Sequence, residues 1–160
     1  MPPFGSVLKV SLALALLTFE AGAQEWEQFG FRKLRFAFDV PPGFALKKTA
    51  DDGKGAIFEA QSGADLAVWG KSVPRRNFKA TVQAELNADE AEGWEITYRR
   101  MTPAWASYSG IKDGRIRYVR AIAVCNDRVG MFQLDYDVEN KVPYDPIVVR
   151  MVRSLKADGC

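Results

Sequence analysis

The sequence predicts an α+β layered sandwich: an antiparallel sheet of about six to seven strands covered by two main helices, in the order β-β-β-α-β-β-β-β-α. Three observations carry that reading. Apolar residues alternate with period two before residue 70 and again after residue 94, as half-buried strands require. The spacing turns helical after Pro74, and a second helical stripe closes the chain. Asp113-Gly114 stands between two β-rich runs, where it supplies the positive φ that a tight hairpin turn needs. A sheet with an apolar face must be covered, and the helices are there to cover it.

In Leu34-Arg35-Phe36-Ala37-Phe38-Asp39-Val40 the residues Leu34, Phe36, Phe38 and Val40 share one face, and Pro41-Pro42-Gly43 ends the strand, since proline cannot donate to a ladder. Ala56 to Ala60 and Leu66 to Gly70 flank a Ser62-Gly63 turn and read as a hairpin. Asn77 is placed as a helix N-cap, with Phe78, Val82 and Leu86 as the apolar stripe and Gly93 as the stop. The residues Lys79, Gln83, Glu85, Asp89 and Glu92 form the solvated face of that helix. Strands follow at Trp94–Met101, Trp105–Ile111, Ile116–Cys125 and, after an Asn126-Asp127-Arg128 turn, Val129–Val138. The last helix is capped by Asp145, takes Pro146 in its first turn, and carries Ile147, Val148, Met151, Val152 and Leu155 on one side.

Ahead of this domain, Met1 to Lys9 carry one base and no acid, and Val10 to Phe19 form an apolar run. Ala21-Gly22-Ala23 then offers a small-residue cleavage site. Residues 1–23 are read as a secretory signal peptide, and residues 24–160 as one domain whose first ten residues lie as a leader on its surface. The apolar run is about half the roughly twenty residues that a membrane-spanning helix needs, so no integral membrane segment is expected after cleavage. The destination is periplasmic or secreted. There the two cysteines, Cys125 and Cys160, are expected to form a disulfide. Closing a loop of that length stabilises a fold by about 4 kcal/mol in the chain-entropy account.

The chain holds 22 Lys and Arg against 20 Asp and Glu, a net charge of +2. Bulk electrostatics therefore demands no nucleic-acid partner. Histidine is absent, which removes the usual imidazole base of serine and cysteine hydrolases and the usual ligand of zinc and copper. No catalytic residue, metal site or cofactor is assigned. Asp135, Asp137 and Glu139 lack the spacing of a calcium loop, and pairing Asp135 with Glu59 as glycosidase carboxylates has no support in the sequence. Trp69 and Trp94 are read as packing residues, and Arg75-Arg76 as a solvated basic connection.

The candidate binding residues are Tyr98, Arg99, Arg100, Trp105, Arg115 and Arg117, an interleaving of rings and guanidinium groups. Alternation puts Arg115 and Arg117 on one face of their strand and Arg120 with Tyr118 on the other. If Arg99 or Arg100 lies across from Arg115 and Arg117, a patch forms that suits carboxylate or phosphate groups. Pairing with Glu95, Asp135 and Asp137 is the plainer alternative.

The opening Phe36-x-Phe38-x-Val40-Pro41-Pro42-Gly43-Phe44, the element order and the closing amphipathic helix ending near Ser154-Leu155-Lys156 together resemble the PsbP-like superfamily. That superfamily includes the extrinsic lumenal protein of photosystem II, a Ran-binding nuclear import factor and small exported bacterial proteins. The resemblance implies binding and accessory roles, and it transfers no catalytic motif to this chain. The expectation is an exported protein without catalytic activity that recognises a protein partner or a small anionic ligand through an exposed sheet face. A small-molecule carrier with a pocket between sheet and helices is the alternative, with an envelope hydrolase behind it.

Overall fold

The computed structural model describes residues 25–73 and 77–160. The expected signal peptide over residues 1–23, its cleavage point, and the Arg75-Arg76 pair lie outside the described residues. Among the described residues five strands precede the first helix: β1 (Glu27–Phe31), β2 (Phe36–Val40), β3 (Phe44–Thr49), β4 (Gly55–Ala60) and β5 (Asp65–Ser72). Then come α1 (Phe78–Ala91), β6 (Glu95–Met101), β7 (Trp105–Lys112), β8 (Arg115–Val124), β9 (Arg128–Asp137), α2 (Lys141–Ser154) and β10 (Lys156–Ala157). A seven-stranded antiparallel sheet runs in the order β3-β4-β5-β9-β8-β7-β6, and a three-stranded sheet in the order β1-β2-β10. The architecture is the expected α+β sandwich, with three more strands than expected.

Each side of the large sheet has its own core. On one side Phe78, Val82 and Leu86 of α1 pack on Ala106, Tyr108, Val119, Ala121, Val129 and Met131. On the other, the small sheet and α2 together set Phe36, Phe38, Tyr144, Val148 and Met151 against Leu66, Val68, Phe132 and Leu134. Burying a phenylalanine or leucine side chain this fully is worth about 2–3 kcal/mol, so both covers are held firmly. Phe36 fits through a dent in the sheet. Gly70 and Gly130 pair across β5 and β9, and a Cβ on Gly130 would stand 2.9 Å from the Phe36 ring. A Cβ on Gly70 would meet Phe36 at 2.9 Å and Leu34 at 2.7 Å. Only glycine leaves room for the ring at these two positions.

Several local expectations hold. Asp113 and Gly114 both take positive φ (48° and 75°) and close the β7–β8 hairpin. The β4–β5 hairpin turns at Gly63 with φ 81°. Cys125 and Cys160 are bonded, with their Cα atoms 5.4 Å apart.

Others shift. Leu34 is buried as expected but sits in the turn before β2, with Arg35 at φ 54°. The segment read as a surface leader supplies β1, whose register with β2 runs from Glu27↔Val40 to Phe31↔Phe36. Cys125 lies not in the strand but in the Cys125-Asn126-Asp127 turn that follows β8. Asn77 makes no side-chain cap; its carbonyl accepts instead from the Thr81 N–H and Oγ1, both at 3.1 Å. α2 begins at Lys141 and not at Asp145, and Pro143 falls in its first turn, where a proline's missing N–H costs no helical bond. Pro146 is then inside the helix, and Asp145 accepts from Lys141 one turn back at 2.9 Å. Among the described residues no helix is long and apolar enough to cross a membrane.

Candidate functional site

β8 carries two arginines three residues apart that meet opposite surroundings. Strand alternation aims Arg117 at the α1 side and Arg120 at the other. Arg117 is 12 % exposed at its side chain and is enclosed by acceptors. Its Nε and Nη2 donate to the two oxygens of Asp135 at 3.0 and 2.7 Å, a bidentate fork, and its Nη1 donates to Asp89 at 2.5 Å. The Trp94 ring stacks on the guanidinium at 4.1 Å. Asp89 also accepts from Tyr108 at 2.6 Å, and Asp135 from Gln133 at 3.1 Å. Burial alone would lower the Arg117 pKa, but hydrogen bonds and charge from Asp135 and Asp89 outweigh it and the net shift is upward.

Asp89 was expected on the solvated face of α1. It is 7 % exposed and forms the polar end of the Phe78, Val82, Leu86 stripe. The step from Leu86 to Asp89 is i to i+3, so the helical spacing contained this placement, and the residue type masked it. Tyr108 is buried on the same network, and its phenol pKa is pushed far upward, first by burial and then by the hydrogen bond and charge of Asp89.

A pH dependence follows from Tyr108. Unfolded, this phenol ionises near pH 10; folded, it keeps its proton well above that. The unfolded state therefore binds fewer protons above pH 10, and stability falls as pH rises, by up to about 1.4 kcal/mol per pH unit from this group. Tyr108→Phe is expected to flatten that fall while costing about 1 kcal/mol at neutral pH. Urea denaturation at pH 8, 10 and 11 measures both, and an unchanged alkaline slope in the variant would refute the assignment.

Arg115 stays nearer the surface and donates to Asp65 at 3.2 Å and Asp137 at 3.4 Å. Arg115 and Arg117 are thus paired with carboxylates, as the plainer alternative held, and they do not converge with Arg100. Asp135 and Asp137 are in turn occupied as salt-bridge acceptors.

Arg120 has no such company. Its guanidinium lies 4.2 Å above the Trp105 ring, and Arg100 flanks the same ring at 5.3 Å. Ser107 accepts from Arg120 Nη1 at 3.1 Å and from the Tyr118 hydroxyl at 3.1 Å. The register explains the cluster: Ser107 pairs with Arg100 on β6 and with Arg120 on β8, so the three stand in one row across the sheet. Tyr98, 47 % exposed, lies on the same face as Arg100. Among the described residues neither Arg100 nor Arg120 has a carboxylate partner, and Arg120 Nε is shut from solvent with no acceptor. Burial pulls the Arg120 pKa down, opposed only by the phenols of Tyr118 and Tyr98.

Of the six expected residues, then, Tyr98, Arg100 and Trp105 come together. Arg99 points to the α1 side beside Tyr108, in a 310 Å³ cleft that Val82 and Leu86 also line. The residues that complete the cluster, Ser107, Tyr118 and Arg120, were not among the candidates, although alternation had already separated Arg120 and Tyr118 from Arg117.

No protein-family model and no curated protein sequence matches the chain. Solved structures are similar to it, among them the following two. The solution structure of cyanobacterial PsbP from Synechocystis sp. PCC 6803 superposes with a TM-score of 0.65 at 12 % identity, covering 86 % of this chain and 95 % of that one. A crystal structure from Bacteroides thetaiotaomicron VPI-5482 gives a TM-score of 0.54 at 8 % identity, covering 82 % of this chain and 48 % of that one. At such identities the likeness is one of fold, and the architecture of this chain is that of a PsbP-like α+β sandwich.

Proposed function

We propose that the protein is an exported, non-catalytic accessory protein that recognises an anionic group of its partner through the open sheet face around Trp105. One observation carries this reading: Arg100 and Arg120 flank one indole ring with no carboxylate to neutralise them among the described residues. A guanidinium that is partly buried and left unpaired is costly, and an incoming carboxylate or phosphate relieves that cost by charge-assisted hydrogen bonds. The signal-peptide pattern over residues 1–23 and the Cys125–Cys160 bond support export. A carrier reading draws on the cleft between α1 and β6–β7, whose walls are Val82, Leu86 and Tyr108.

Titration of the protein with phosphate and with glutarate, followed by the Trp105 indole N–H resonance, tests the proposal. Both anions are expected to shift that resonance, less so at high salt. Arg120→Met combined with Arg100→Ala is expected to weaken binding at least tenfold. The same double variant should unfold at an unchanged or higher temperature, because it removes a desolvated charge and no salt bridge. Arg115→Ala, on the other face, should bind normally. An indole resonance that no anion moves, or a double variant that binds as well as the parent, would count against the proposal. Occupation of the α1 cleft alone would favour the carrier.

A further inference from the structure

We infer that the free edge of β6 receives an extended acidic segment of a partner protein as an eighth strand of the large sheet. The inference rests on the binding face proposed above and specifies what occupies it.

β6 is a terminal strand of the seven-stranded sheet. Its pairs with β7 run Tyr98↔Ser109, Arg99↔Tyr108, Arg100↔Ser107 and Met101↔Ala106. The Thr102 N–H donates to the Trp105 carbonyl at 2.8 Å, just beyond the last of these. In an antiparallel ladder the hydrogen-bonded pairs alternate, so the main chains of Arg100 and Tyr98 bond inward to β7. Those of Arg99 and Met101 then present N–H and C=O outward, unpaired among the described residues. Strand addition uses such a row of main-chain groups for affinity and the alternating side chains for selection.

The side chains select for acid. Arg100 lies on the Trp105 face and Arg99 on the α1 face, so a glutamate on either face of an added strand stands next to an arginine, about 5 Å away at Cβ. A second copy of this chain is a poor occupant, because pairing β6 with itself sets arginines near arginines, the usual guard of an edge against self-association. The opposite edge, β3, offers less. A bulge between Leu46 and Lys48 interrupts it at its middle, and Lys47 is already paired with Glu59. In β6 the irregularity falls earlier, between Ile96 and Tyr98, and leaves Tyr98–Met101 regular.

A capped seven-residue peptide that alternates glutamate with valine and threonine tests the inference, with hydrogen exchange of the Arg99 and Met101 amides and the Trp105 indole resonance as readouts. The peptide is expected to slow exchange at both amides at least tenfold and to shift the indole. A lysine-for-glutamate peptide and a backbone N-methylated peptide should do neither, and Arg99→Glu with Arg100→Glu should reverse the choice toward the lysine peptide. Free glutarate should move the indole alone. If the glutamate peptide shifts the indole but leaves both amides unprotected, strand addition is wrong while the anion-binding face stands. Protection that is indifferent to peptide charge overturns the acidic partner. If neither glutarate nor the peptide moves the indole, both readings fall.

Discussion

Replacing Arg117 by alanine is expected to lower stability by about 3–5 kcal/mol, the cost of leaving buried carboxylates without their cation. Asp89 and Asp135 both lose their main partner at once, and Tyr108 and Gln133 alone cannot hold two negative charges. Trp94 would also lose the guanidinium it stacks on. Lysine should rescue poorly, since it cannot reproduce the two-pronged bond to Asp135. Adding Asp89→Asn and Asp135→Asn to the alanine variant should recover part of the loss by removing the uncompensated charge. Urea denaturation of the four proteins reads all of this. A loss under about 1 kcal/mol for the alanine variant would mean that the cluster behaves as a solvated surface pair and does not pin α1 to the sheet.

The second large effect concerns Cys125 and Cys160. Substituting both by serine is expected to cost about 4 kcal/mol by loop-closure entropy and to lower the melting temperature by about 10 °C or more. The bond also positions the C-terminal tail. Lys156 and Ala157 pair with Ala37 and Phe36, the Asp158 backbone N–H donates to the Arg35 carbonyl, and the Arg35 guanidinium donates to the Gly159 carbonyl. Two ladder residues are a weak strand by themselves, and the staple holds them there. Calorimetry with and without reductant measures the effect, and thiol alkylation confirms the state of the bond. A loss below about 1 kcal/mol would show that the tail frays locally and that the bond contributes little to the whole.

The parts of the fold that could be read from the sequence are those in which one residue carries its own geometry. Asp113-Gly114 specifies its turn, and the Phe78, Val82, Leu86 stripe specifies the buried side of α1. β3 could not be read in this way. It is an edge strand with little of its surface buried, so no apolar alternation marks it. β10 is two residues long and exists through its partners. The candidate site was half legible for a related reason. Period-two alternation separates Arg117 from Arg120, but which side of β8 meets α1 is decided by long-range packing, and only that decides which arginine finds carboxylates. Asp89 was misplaced because an acid in a helical stripe reads as solvent-facing unless its partner, 28 residues away on β8, is known.

The dent that holds Phe36 bears on the order in which the chain can assemble. Its floor is made by Gly70 and Gly130, sixty residues apart in the sequence, and it does not exist until β5 has found β9. Pairing across so long a loop is slow. β2 therefore waits for a seat made by strands that follow it in the sequence, and a segment synthesised before β5 and β9 docks only after they have paired.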